Sequence, residues 1–380
     1  MKKNSDIKFI LLLSFGLFSL NTIAAILPAP PDINAVSYLV KDFNSGRVLA
    51  EKNIDQRVEP ASLTKMMTTY IVSNEIHEGS INMEEMVLVS EKAWRMEGSR
   101  MFIEVGKEVS VEDLLRGVII QSGNDASVAL AEHIAGTEEV FAAIMNQYAA
   151  RLGMNDTNFV NSTGLPDENH YTTARDLATL AEAIIRDHPD IYEWHSIKEF
   201  TFNDIKQPNR NLLLWRDDSV DGIKTGHTEN AGYCLVASAK RNDMRVISVV
   251  MGTDGMESRA RASSSLFGYA FRFFETHKYY SKGEQVTSTA IWKGETDNVE
   301  LGVENDLWLT IPRGQLKNIQ PVVELNQNIT VPISMNMVLG NVNLILEDEQ
   351  LATLSLIALD AVPEGGIIKR IQDEIKLFFQ

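Results

Sequence analysis

The sequence predicts an α/β (α+β) domain over residues 26–278, a small all-β domain over 279–362 and an amphipathic helix over 363–380. Three observations carry this reading. Short apolar runs mark strands at both ends of the first region with helical periodicity between them, which fits a mixed sheet flanked by helices. Beyond Tyr280 the runs shorten, several alternate, and glycine, asparagine and proline punctuate them, as in a small β-sandwich or barrel. From Gly365-Gly366 onward, Ile367, Ile368, Ile371, Ile375, Phe378 and Phe379 recur at helical spacing, with Lys369, Arg370, Asp373, Glu374 and Lys376 elsewhere around the helix.

Residues 1–25 read as a signal peptide. Met1-Lys2-Lys3 is basic, Phe9 to Leu20 is mostly apolar, and small residues follow, so cleavage is expected after Ala24 or Ala25. The apolar run is shorter than the roughly 20 residues of a spanning helix, which favours export over an uncleaved anchor. A hairpin follows, Ala35–Val40 and Arg47–Ala50 around the turn Asn44-Ser45-Gly46, and it feeds a helix entered at Pro60. Helices are expected over Val111–Ile120 and Asp125–Ile134, with Gln121 to Asn124 as their connector, then over Thr137–Leu152 and Ala174–Arg186. The polar loop Asn155–Thr173 separates the last two, and its Asp167 to Tyr171 is expected to form an active-site rim. Strands are expected at Asp221–Gly226, Tyr233–Ala239 and Arg245–Met251, closed by a helix over Phe267–Phe274.

In the second domain, strands are expected at Glu284–Trp292, Leu307–Ile311, Pro321–Leu325, Ile329–Ile333, Met337–Leu346 and Gln350–Leu359. This part holds neither histidine nor cysteine, so the chemistry is assigned upstream, and the domain is read as a spacer or contact module. The terminal helix is read as an interfacial anchor rather than a helix docked on the protein's own core, because the glycine pair detaches it and it ends on the paired Phe378 and Phe379, although Leu377 falls off the stripe. A formal charge of −17 excludes the basic footprint of nucleic-acid binding and disfavours electrostatic docking on anionic lipid. Cys234 is the one cysteine, so no intramolecular disulfide forms. No clustered ligand set appears, and neither metal nor cofactor is expected.

Three short motifs carry the chemistry: Ser62-Leu63-Thr64-Lys65, Ser122-Gly123-Asn124 and Lys224-Thr225-Gly226-His227. Residues three apart share a helix face, so the Lys65 amine reaches the Ser62 hydroxyl across one turn. A nucleophile and base pair is thereby available, provided that burial and a neighbouring cation lower the lysine from about 10.4 toward neutrality. Ser-x-x-Lys and Ser-x-Asn each recur elsewhere in the chain, whereas Lys-Thr-Gly occurs once. Their joint placement, at a helix start, a helix connector and a strand bounded by a turn, is what an acyl-transfer site requires.

The whole pattern resembles the low-molecular-mass penicillin-binding proteins, the D-alanyl-D-alanine carboxypeptidases of the penicillin-binding protein 5/6 type. The likeness extends to Asp221 through Thr228, Ala231-Gly232-Tyr233 and Phe271-Arg272-Phe273-Phe274-Glu275. It implies a serine acyltransferase domain of the penicillin-binding protein/β-lactamase type, acting on peptidoglycan pentapeptide stems and acylated by β-lactam antibiotics. It further implies Ser62 as nucleophile, Lys65 as base, Ser122 as proton carrier to the departing D-alanine, Asn124 as a holder of Lys65 and substrate, and Lys224 as a supporting cation. Backbone amides of Ser62 and His227 would form the oxyanion hole, and Thr225, Lys224, Arg210 and Arg259 would meet the terminal carboxylate, beside Gly226. The implied location is the periplasm, at the outer face of the cytoplasmic membrane through the C-terminal helix. A class A-like β-lactamase would need a deacylating carboxylate. Glu168 lies in a suitable loop but outside any Glu-x-x-Leu-Asn pattern.

Overall fold

A computed structural model describes residues 27–378; the expected signal peptide and Phe379 lie outside them. The core is a five-stranded sheet in the order Val48–Lys52, Ser37–Asp42, Met244–Thr253, Gly232–Arg241, Val220–Thr228. Every neighbouring pair is antiparallel, which corrects the expectation of a mixed sheet. The last three strands follow one another in sequence, so tight turns join them and no crossover is needed. Arg241 pairs with Met244 across the two-residue turn of Asn242 and Asp243, where Asn242 has φ +53, as such hairpins favour.

Alternation along these strands sorts side chains onto two faces. Cys234, Val236, Ile247 and Val249 pack with Met66, Met67, Phe141 and Leu177, from the helices Lys65–His77, Glu138–Leu152 and Ala174–Asp187. Leu235, Ala237, Val246 and Val250 pack on the opposite face with Leu266, Phe267 and Ala270 of the helix Met256–Phe273. That helix starts eleven residues before the expected Phe267. Its first turns, Met256 to Ser265, are polar and serine-rich, so hydrophobic periodicity does not reveal them. A third cluster gathers Leu114, Val118, Val128 and Leu130 around Met101.

The second unit centres on an antiparallel five-stranded sheet, in the order Gln285–Ala290, Asn298–Val303, Glu349–Ala358, Val338–Leu346, Ile319–Leu325. Leu307–Pro312 pairs instead with Phe274–Tyr280, so the expected boundary at 278/279 falls inside a strand. Asn298–Val303 was not anticipated. Ile329–Ile333 forms only isolated bridges, Trp292 to Thr330 and Ile333 to Val362, rather than the expected strand. The buried Asp42 links the two units by accepting from Thr276 Oγ1 at 2.7 Å, and Arg47 Nη1 donates to the Thr310 carbonyl at 2.9 Å.

The terminal helix runs over Ile367–Phe378 and rests on the second unit by its polar side. Asp373, buried, accepts the Lys293 N–H at 2.8 Å, and Lys369 pairs with Asp297. Ile367, Ile368, Ile371 and Ile375 are all more than half exposed. Among the described residues no helix is long and apolar enough to cross a membrane.

Candidate active site

The nucleophile turn begins with one 3₁₀ turn, Ala61–Thr64, that leads directly into the helix Lys65–His77. Ala61 is held at φ +48, a conformation uncommon for a residue with a Cβ and one that clusters at functional sites. Gly164 explains the closeness of the adjoining loop. Its φ is +84, and an added Cβ would stand 1.7 Å from the Ala61 carbonyl oxygen. The loop thereby brings the Thr163 carbonyl against the base of the turn.

Lys65 is fully buried. Its Nζ donates to Asn124 Oδ1 at 2.7 Å and to the Thr163 carbonyl at 2.6 Å, and it lies 3.1 Å from Ser62 Oγ. Burial first, and then the Arg210 charge, push the amine down to about 7, against opposing pulls from Asp125 and Glu138. A neutral amine has two N–H groups and one lone pair. The two shorter contacts consume the donors, which leaves the lone pair for the Ser62 hydroxyl proton.

Ser122 is reached differently. The helix Val111–Arg116 widens into the π-turn Gly117–Gln121, and Ser122 follows at φ +67 before the helix Asn124–Ala135 begins. A π-turn of this sort often marks a functional site. Ser122 Oγ is buried and has no hydrogen-bond partner among the described residues. Unpaired hydroxyls are rare in protein interiors, and this one borders the cleft. Ser122 sits on the expected connector, but Asn124 opens the helix instead. There its Nδ2 donates to the Glu97 carbonyl at 2.6 Å, which fixes Oδ1 toward Lys65.

Lys224, Thr225, Gly226 and His227 lie on the edge strand of the sheet. Lys224 is buried, and burial, with Lys65, Arg210 and Arg259 as lesser causes, holds its amine well below the usual lysine range. Its Nζ donates to the Thr225 carbonyl at 3.2 Å, so a direct bond to Ser122 is not formed. Gly226 packs with a notional Cβ only 3.1 Å from the Pro60 carbonyl, so the strand seats against the nucleophile turn. Arg259 donates to the carbonyls of Gly226 and Cys234, at 2.9 and 3.3 Å. His227 is exposed and its ring packs on Tyr233 at 4.0 Å between centroids.

These residues surround one cleft of about 420 Å³, lined by Ser62, Ser122, Asn124, Arg210, Thr225, Gly226, His227 and Arg259, with Lys65 and Lys224 beneath them. Sequence reasoning missed Gly98, Ser99, Tyr233 and Met256, which also line it. Asp125, which directly follows the second motif, ties Gly98 and Ser99 to it. Its carboxylate accepts the N–H groups of Met101, Phe102 and Ile103, and so ties that loop to the motif. The expected rim at Asp167–Tyr171 does not line the cleft; Thr163, Gly164 and Leu165 of the same loop do. Glu168 is exposed and outside the cleft lining. His170 is buried with both nitrogens engaged. Nδ1 accepts from the Val160 N–H at 3.1 Å, so Nε2–H donates to Thr64 Oγ1 at 2.7 Å, and burial lowers its pKa to about 4. Ser127 returns its hydroxyl to the Gly123 carbonyl, and burial pushes the Cys234 thiol up to about 11.

An edge-strand wall, a serine with a buried lysine 3.1 Å away and a ring of cations fit the class of serine acyl-transfer hydrolases. The D-alanyl-D-alanine carboxypeptidase family, peptidase S11, matches residues 24–255, and the penicillin-binding protein 5 C-terminal domain matches residues 274–364. The chain is 43% identical over 365 residues to D-alanyl-D-alanine carboxypeptidase DacA of Escherichia coli (strain K12), covering 94% of this chain and 91% of the relative. It is 44% identical over 354 residues to DacA of Haemophilus influenzae, covering 92% and 90%. The crystal structure of penicillin binding protein 5 from Haemophilus influenzae superposes with a TM-score of 0.85, covering 89% of this chain and 100% of that one at 44% identity. The chain belongs to the D-alanyl-D-alanine carboxypeptidase family, and it is a serine peptidase of the β-lactam-binding kind.

Proposed function

We propose that Ser62 carries the acyl group and that Lys65 is its general base. The observation behind this is the buried amine 3.1 Å from Ser62 Oγ, lowered to about 7 with both donors occupied. Lys65 takes the hydroxyl proton as Ser62 Oγ bonds to the carbonyl carbon of the penultimate D-alanine of a peptidoglycan pentapeptide. The peptide C–N bond breaks, and Ser122 passes a proton to the departing D-alanine. Water then attacks the ester and restores Ser62. Backbone amides of Ser62 and His227 hold the developing oxyanion, each donor typically worth ~10²–10³ in rate. Asn124 aligns Lys65 and the substrate amide. Thr225, Lys224, Arg210 and Arg259 receive the terminal carboxylate beside Gly226, and the outward edge of the Val220–Thr228 strand bonds the peptide backbone.

We further propose that residues 26–278 form the carboxypeptidase domain and 279–362 a β-rich support. The protein works in the periplasm after removal of residues 1–25, peripherally attached to the outer face of the inner membrane by the C-terminal helix. The polar docking of that helix through Asp373 and Lys369, with its isoleucines turned out, supports a membrane-surface role. A β-lactam presents the same carbonyl and carboxylate, so it acylates Ser62. Benzylpenicillin incubation followed by peptide mass spectrometry is expected to find the adduct on Ser62 and none in Ser62→Ala; an adduct on another residue would overturn the assignment.

A further inference from the structure

A second groove of about 330 Å³ is lined by residues that follow cleft residues in the chain, Arg100 and Phe102 after Gly98 and Ser99, and Asp125 after Asn124. Trp94, Phe102 and Ile205 line it and are each about two-fifths exposed, so apolar side chains face water there beside the polar Asn203 and Asp125. Two opposite charges also line it, Arg100 and Glu104. Neither makes an ion pair with the other or with any described residue. The Arg100 guanidinium stands 5.3 Å from the Phe102 ring centroid.

The groove is built rather than incidental. Phe102 sits at φ +69, an outlier for a bulky side chain, and is kept there because Asp125 accepts its N–H at 2.9 Å along with those of Met101 and Ile103. Gln207 of the hairpin Glu199–Pro208 donates to the Arg100 carbonyl at 3.1 Å and closes the other side. Asp125 adjoins Asn124, so the element that fixes Lys65 also displays this aromatic and charged loop.

We propose that this groove binds the substrate on the acyl side of the scissile bond, and that its ligand is a side chain ending in an amino-acid zwitterion. An unpaired guanidinium takes a carboxylate, an unpaired carboxylate takes an ammonium, and the exposed side chains of Trp94, Phe102 and Ile205 carry the connecting methylenes. This rests on the assignment of the terminal carboxylate to Thr225 and Arg259. With that end placed at the strand wall, the rest of the peptide leaves past Asn124 and Ser99 toward the groove.

The test uses two synthetic peptides ending in D-Ala-D-Ala that differ only in the preceding residue, diaminopimelate with a free zwitterion or lysine with an ammonium alone. The kcat/KM ratio for D-alanine release is measured for the wild type, Arg100→Gln and Glu104→Gln. A wild-type preference of about tenfold for diaminopimelate is expected, the scale of one charge-assisted pair. Arg100→Gln is expected to bring the ratio near one, because the carboxylate partner is gone. Using a ratio cancels any general loss from altered folding. A wild-type ratio near one, or a preference that survives Arg100→Gln, would overturn the proposal while leaving the carboxypeptidase reading intact. Release from neither peptide would overturn both.

Discussion

Gly164 is seated so tightly against Ala61 that a Cβ on it would come within 1.7 Å of the Ala61 carbonyl oxygen. The contact joins the polar loop to the nucleophile turn and sets the Thr163 carbonyl 2.6 Å from Lys65. Alanine at 164 would meet both a backbone clash and a left-handed φ of +84. Gly164→Ala is therefore expected to cost about 2–4 kcal/mol in urea unfolding, the range of strained backbone and overpacking substitutions. D-alanine release should fall with it, because the Lys65 acceptor moves.

The pH dependence follows from the protonation state of Lys65. The amine works as a base only when neutral and is lowered to about 7, so kcat/KM should fall as pH drops through about 7. Arg210 is a cause of that lowering, second to burial. Removing its charge in Arg210→Gln makes the protonated amine easier to hold, so the acid limb should move to higher pH. A limb that stays in place while activity falls would show that Arg210 acts on substrate alone.

The proposed membrane attachment should be separable from catalysis. The helix Ile367–Phe378 docks through Asp373 and Lys369, at a distance in sequence from every cleft residue. Deleting residues 364–380 should abolish flotation with liposomes and leave release from a soluble pentapeptide within about twofold, as for a surface element outside the core. Unchanged flotation would remove the anchor role.

Much of the site was legible because its chemistry sits in three compact motifs. Ser62 and Lys65 are related by one helical turn, and that spacing alone places Nζ near Oγ. The strand bearing Lys224 was legible as one of three short runs separated by polar turns. Less visible were contacts made by backbone geometry. Nothing in local sequence announces that Gln121 ends a π-turn, that Ser122 adopts φ +67, or that the Thr163 carbonyl turns toward Lys65. His170, inside the expected rim, is instead buried and bonded to Thr64, a pairing no local pattern announces. The first turns of the helix Met256–Phe273 escaped because Arg259 and Ser263 are buried by bonding to cleft strands and by packing, not by apolar periodicity. In the second unit, Asn298 and Gly302 are poor strand formers and mask the alternation of Val299, Leu301 and Val303 along Asn298–Val303.

The central claim is that one serine, activated by one buried lysine, removes the terminal D-alanine. The most direct measurement is D-alanine release from a pentapeptide ending in D-Ala-D-Ala by the protein lacking its terminal helix, beside its Ser62→Ala variant. Release by the first and none by the second is expected. Release that persists in Ser62→Ala would contradict the account.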